Sequence, residues 1–126
     1  MEEILQTELL ELIIKNRFDK TGKKRLSVLE ISQIFNSMAN IFHIKKIKSF
    51  ENSLSELERY SIIKLKTKNE VEYEWFEITD TEKLKDYYTS LVKPLIGVEM
   101  TKNIEERINL FFPYRDTPKK QDAIGV

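Results

Sequence analysis

The sequence predicts a mainly α-helical domain carrying one small two-stranded β-hairpin. Three observations lead there. Several segments repeat apolar residues at spacings of three and four, the period of a helix with one buried face. One segment instead alternates: Ile63, Leu65 and Thr67 against Lys64, Lys66 and Lys68, then Val71, Tyr73 and Trp75 against Glu72 and Glu74. Two Ser/Thr-x-x-Glu matches, Ser27–Glu30 and Thr79–Glu82, mark helix starts on either side of that segment.

Taken in order, Glu2 to Lys15 is an amphipathic helix with Ile4, Leu5, Leu9, Leu12 and Ile13 as its stripe. Glu2 and Glu3 stand near the positive end of its dipole. Asp19–Lys20–Thr21–Gly22 reads as a turn, followed by the basic triplet Lys23–Lys24–Arg25. Ser27 opens a second helix, buried through Leu29 (or Val28), Ile31, Ile34, Phe35 and Met38. Its end and the turn into the next helix fall within Asn36 to His43. A third helix begins at Lys45, with Ile47, Phe50, Leu54 and Leu57 on one face.

For the hairpin, a loop of Lys68–Asn69–Glu70 sets Thr67 opposite Val71, Leu65 opposite Tyr73 and Ile63 opposite Trp75. Every inward residue then meets an inward residue, whereas a two-residue loop sets Leu65 against Glu72. In this register Lys66 faces Glu72 and Lys64 faces Glu74, pairs that neutralise both lysines. Thr79 then opens a fourth helix with the stripe Leu84, Tyr87, Tyr88, Leu91 and Val92. Pro94 lies near its end or in the first turn of another helix. Met100 to Phe112 forms a fifth, with Met100, Ile104, Ile108 and Phe111 on one side. Residues 1–112 are expected to form one domain, and the aperiodic run 113–126 is expected to be a disordered tail.

Composition bounds the function. A hydrophobic fraction of 40% and a charged fraction of 33% suit a globular domain with a well-charged surface. No apolar run approaches bilayer length and the first residues are acidic, so neither a membrane partner nor a secretory signal is expected, and the expected location is cytoplasmic. Cysteine is absent, which excludes disulfides and thiolate metal sites. His43 is the sole histidine, so Cys–His pairs and His-rich zinc sites are excluded, and His43 reads as a half-exposed turn residue. Glycines stand singly, without a phosphate loop. Neither an enzyme nor a cofactor is expected. A net charge of zero conceals segregation: Lys20 to Lys68 holds 11 Lys or Arg against four acids, and Glu70 to Asp86 holds seven acids against two lysines.

The order helix, helix, helix, strand, loop, strand, helix resembles a winged helix-turn-helix domain, and Ser27 to Ile78 is similar to the core of that superfamily. Leu54-Ser-Glu-Leu57 followed by Ile62–Ile63 matches how members pass from third helix to wing. Members usually carry Gly or Asn in that passage, where this chain has Tyr60–Ser61.

The resemblance implies double-stranded DNA as partner, with the third helix in the major groove and the wing on the backbone. Transferred to this chain, Lys45, Lys46, Lys48, Ser49 and Asn52 are the outward contacts at the helix start. Lys23, Lys24, Arg25 and Lys68 are candidate phosphate anchors. Tyr87, Tyr88, Leu91, Leu95, Ile96, Phe111 and Phe112 either form a two-fold dimer surface or pack against the first helix. The expected function is therefore a dimeric DNA-binding transcriptional regulator. The alternative is a protein-interaction subunit of a larger complex, or a phage or plasmid accessory factor, working through its acidic hairpin and aromatic C-terminal helices.

Overall fold

The first helix stops where Gly22 takes a left-handed φ of +71° and its N–H bonds to Phe18 O at 2.7 Å. The computed structural model describes residues 6–67 and 73–113. Within it the elements are α1 (Gln6–Thr21), β1 (Arg25–Ser27), α2 (Val28–Ile41), α3 (Phe50–Arg59), β2 (Ile63–Thr67) and β3 (Tyr73–Ile78). Then come α4 (Thr81–Tyr87), a π-helical turn (Tyr88–Val92), α5 (Lys93–Ile96) and α6 (Val98–Phe111). The chain is mainly helical, with one small antiparallel sheet in the order β1–β3–β2.

α1 is the hub. It packs against α2, α3, α4, the π turn and α6, so residues around most of its circumference are buried. This explains why it runs past Lys15 to Thr21, through the span where a turn was expected. Lys15 pairs with Asp19 at 2.6 Å, and the Thr21 hydroxyl donates to Arg17 O at 2.9 Å. Ile4, Leu5, Glu2 and Glu3 lie outside the described residues.

β1 makes the sheet three-stranded rather than two-stranded. Leu26 turns into the core opposite Phe76, and Arg25 and Ser27 turn outward. Ser27 caps α2 as expected, its hydroxyl accepting from Glu30 N at 3.2 Å. The Glu30 carboxylate turns to the buried Arg17, 3.7 Å away, and so ties α1 to α2. Ile31, Ile34, Phe35 and Met38 are fully buried, Val28 is half-buried and Leu29 is exposed.

α3 starts five residues later than its apolar period suggested. Ser49 is its N-cap, accepting from Asn52 N at 3.1 Å. Lys45 to Lys48 therefore form a loop, and Ile47 is 72% exposed instead of continuing the face of Phe50, Leu54 and Leu57. α3 closes through Ser61, whose φ of +66° lies in the left-handed region that Gly or Asn usually fills.

The hairpin register is shifted. Ile63 pairs with Ile78, Lys64 with Glu77, Leu65 with Phe76 and Lys66 with Trp75, with an irregularity after Lys66. Phe76 and Ile78 enter the core and Trp75 does not, because moving a strand by an odd number of residues exchanges its faces. Lys64 therefore faces Glu77 instead of the expected Glu74, and the expected Lys66–Glu72 pair falls partly outside the described residues. Lys68, Val71 and Glu72 lie outside the described residues.

Asp80, not Thr79, caps α4, accepting from Lys83 N at 2.9 Å. Thr79 instead donates its hydroxyl to Ser61 O at 3.1 Å. In the π turn Lys93 N bonds to Tyr88 O, five residues back. This wider turn precedes Pro94, which has no N–H and whose ring would crowd a regular α-turn. It also rotates the stripe: Leu84 and Val92 are buried, while Leu91 faces out. Gly97, at φ +94°, separates α5 from α6, whose inner face is Thr101, Ile104 and Ile108. Phe111, expected on that face, is 51% exposed. Among the described residues, no helix is long and apolar enough to cross a membrane. The tail from residue 114 lies outside the described residues.

Candidate nucleic-acid interface

Two of the expected basic groups sit at opposite ends of α1. At its start, Gln6 is buried and grips the loop before α3. Its Oε1 accepts from the N–H groups of Ile47 and Lys48, the latter at 2.7 Å, and its Nε2 donates to Lys48 O at 2.7 Å. Past the other end, Lys23 N donates to Thr21 Oγ1 at 3.0 Å, and Lys24 O accepts from Ile78 N at 2.8 Å. A 16-residue helix lies between, roughly 24 Å at 1.5 Å per residue. The basic groups at residues 23–25 and 45–48 are therefore separated along α1 and do not adjoin.

The loop lysines are partly consumed by the protein itself. Lys48 Nζ bonds both oxygens of Glu56 at 3.0 Å, and Thr7 donates its hydroxyl to the same carboxylate. The Thr7 bond first, and Lys48 after it, hold the Glu56 carboxyl below its usual range despite some burial. Lys48 is thus half-buried and paired with a carboxylate of its own chain. Lys46 reaches Asn36 Oδ1 at 3.4 Å, and Lys45 is exposed. The Ser49 hydroxyl is engaged as a cap, and Asn52 is exposed beside it.

The outer face of the sheet is different. Strand alternation places Arg25, Ser27, Trp75, Glu77, Lys64 and Lys66 on it, with Leu26, Phe76, Ile78, Ile63 and Leu65 beneath. The Arg25 guanidinium carbon lies 3.6 Å from the centroid of the Trp75 ring, and Lys66 Nζ lies 5.8 Å from it. Lys23 and Lys24 flank this face and are exposed. The ion pairs among the described residues are Lys15–Asp19, Arg17–Glu30 and Lys48–Glu56, so Lys23, Lys24, Arg25, Lys64 and Lys66 stand outside them. An open groove of about 530 Å³ crosses this side, lined by Lys23, Arg25, Leu26, Ser27, Glu74 and Trp75.

Sequence reasoning missed Trp75 and Lys66 because it took the wrong face of β3 as inward. The signal was there in Phe76 and Ile78, which alternate as well as Tyr73 and Trp75 do. Lys68, expected at the hairpin tip, lies outside the described residues.

The candidate dimer residues divide. Tyr87 donates to Glu8 Oε2 at 3.0 Å and stacks obliquely on Tyr60 with centroids 5.8 Å apart. Burial, and then the Glu8 carboxylate, push its hydroxyl pKa up. Tyr88 lies under Lys15 Nζ, 4.7 Å from the ring, and reaches Glu105 at 3.5 Å. Burial first and Glu105 next push its hydroxyl to about 12. Burial likewise raises the Glu105 carboxyl. Both tyrosines serve intramolecular packing, as does Phe112, which is half-buried against the core. Leu91, Leu95 and Phe111 are 44%, 48% and 51% exposed.

Below Tyr87 and Tyr88, Glu11 is fully buried with neither oxygen hydrogen-bonded, and burial raises its carboxyl to about 9. His43 ends α2 in a left-handed turn, at φ +55°, with an exposed side chain. Compared with known proteins, the chain matches no family model, no curated protein and no solved structure.

Proposed function

We propose that this chain is a winged-helix DNA-binding regulator whose phosphate contacts come from the outer face of the sheet and the segment leading into it. The observation that carries this reading is the concentration of Lys23, Lys24, Arg25, Lys64 and Lys66 on that side, outside the internal ion pairs. Cations held at fixed strand positions release counterions when they meet a phosphate backbone. The helical order, the three-stranded sheet and the left-handed Ser61 at the α3-to-strand passage support the winged-helix assignment. Asn52 and Lys45, exposed around the start of α3, are the secondary contacts.

Two copies meet, in this reading, across Leu91, Leu95 and Phe111, the apolar side chains that the last helices leave outward. The same residues favour the second reading, a protein-interaction subunit. Titration of labelled duplex DNA at about 50 mM salt separates the two. Binding that weakens steeply with added salt supports the first, and absence of binding at low salt overturns it in favour of the second. A solution mass measurement at high concentration reads the dimer directly: a monomer removes it.

A further inference from the structure

Phosphate contacts alone do not distinguish a duplex from a single strand. The outer face of the sheet carries a feature that does. Trp75 is the only tryptophan in the chain, and it stands half-buried on that face instead of in the core. Arg25, one strand away on β1, lays its guanidinium carbon 3.6 Å from the ring centroid, the separation of two stacked planes. We propose that this Arg25–Trp75 pair is a stacking platform for one unpaired nucleotide base, so that the face takes up a single-stranded segment beside the duplex whose phosphates it contacts. The proposal rests on the nucleic-acid reading above and specifies its substrate class.

The physical case has three parts. A guanidinium whose carbon lies 3.6 Å over an indole leaves its solvent side available to a second planar group, and unpaired bases stack on such planes. Bases within a duplex present only their edges, so a flat platform selects a base that is not stacked between neighbours. The groove beside the platform, about 530 Å³ and open, also holds Lys23 and the Ser27 side of β1, which gives the attached phosphate a cation and a hydroxyl. Glu74 lines the same groove and repels phosphate. That repulsion directs the strand toward Lys23. Lys66, 5.8 Å from the ring on its β2 side, is placed to meet a neighbouring phosphate.

The test compares a short oligothymidylate with an abasic oligonucleotide of equal length and with a duplex, following both anisotropy and Trp75 emission. The base-bearing strand should bind roughly tenfold to a hundredfold more tightly than the abasic one, the range expected for one stacked base, with a change in Trp75 emission. Arg25→Lys keeps the charge and removes the plane; it should abolish that preference and leave the salt dependence intact. Arg25 is exposed on a strand of the sheet edge, so this variant is expected to fold, and a thermal melt checks it. Equal affinity for abasic and base-bearing strands, both salt-sensitive, overturns the platform and spares the phosphate reading. Failure of every oligonucleotide to bind overturns both.

Discussion

The loop before α3 and the outer face of the sheet are both lysine-rich, and the fold treats them in opposite ways. In the loop, Gln6 fastens the backbone of Ile47 and Lys48 while Glu56 takes the ammonium of Lys48. On the sheet, Arg25 faces Glu77 across the strands and Glu74 lines the groove, yet Lys23, Lys24, Arg25 and Lys66 have no carboxylate at ion-pair distance among the described residues. The charge is similar in kind. What differs is whether the fold supplies polar partners, here Gln6 of α1 for the loop backbone and Glu56 of α3 for the ammonium.

Four measurements bear on this contrast, ordered by the size of their expected effect. Glu11 is protonated in the folded chain up to about pH 9 and ionises near 4.5 when unfolded. The native state therefore binds the extra proton between those values, and stability falls as pH rises across them. The slope approaches about 1.4 kcal/mol per pH unit. Urea midpoints at pH 6 and pH 8.5 should show this fall for the wild type and a much flatter response for Glu11→Gln; parallel responses would contradict the assignment. Glu56 has the opposite sign: its contribution is present above about 4.5 and is lost as pH falls through its lowered value.

Second, Gln6→Ala removes three hydrogen bonds from the loop at once and should cost about 2–4 kcal/mol in chemical denaturation. Affinity of the folded variant for DNA should be unchanged. Third, Lys48→Ala leaves the Glu56 carboxylate with the Thr7 hydroxyl alone and should cost about 1 kcal/mol without affecting binding, whereas Lys24→Ala should alter stability by no more than about 0.5 kcal/mol and weaken binding. Reversed effects in that pair would exchange the roles of the two regions. Smallest is Ser61→Gly, which relieves a left-handed φ and should stabilise the fold by about 1 kcal/mol, read as a raised midpoint.

Much of the helical core was legible because period and cap agreed. Ile31, Ile34, Phe35 and Met38 repeat behind Ser27, and Leu54 and Leu57 hold their face of α3. Period without a cap misled: Ile47 falls in phase with Phe50 and Leu54, and only Ser49 marks where the helix begins. β1 is three residues long, too short for alternation to announce itself. In β3 the run Tyr73 to Ile78 is apolar-capable on either face, so the sequence admits two registers, and burial of Phe76 decides between them. For the interface, the exposure of Lys23 to Arg25 was readable from a polar triplet between helices. The fate of Lys48 was not, since its backbone partner Gln6 lies 42 residues away.

A salt titration with duplex DNA, run on two triple variants side by side, decides which basic group carries the binding. Replacing Lys23, Lys24 and Arg25 by alanine should flatten the log–log slope by about 0.9 for each phosphate no longer neutralised, while the same change at Lys45, Lys46 and Lys48 should leave most of the slope in place. A slope carried instead by residues 45–48, and indifferent to residues 23–25, would contradict the assignment of the interface to the sheet.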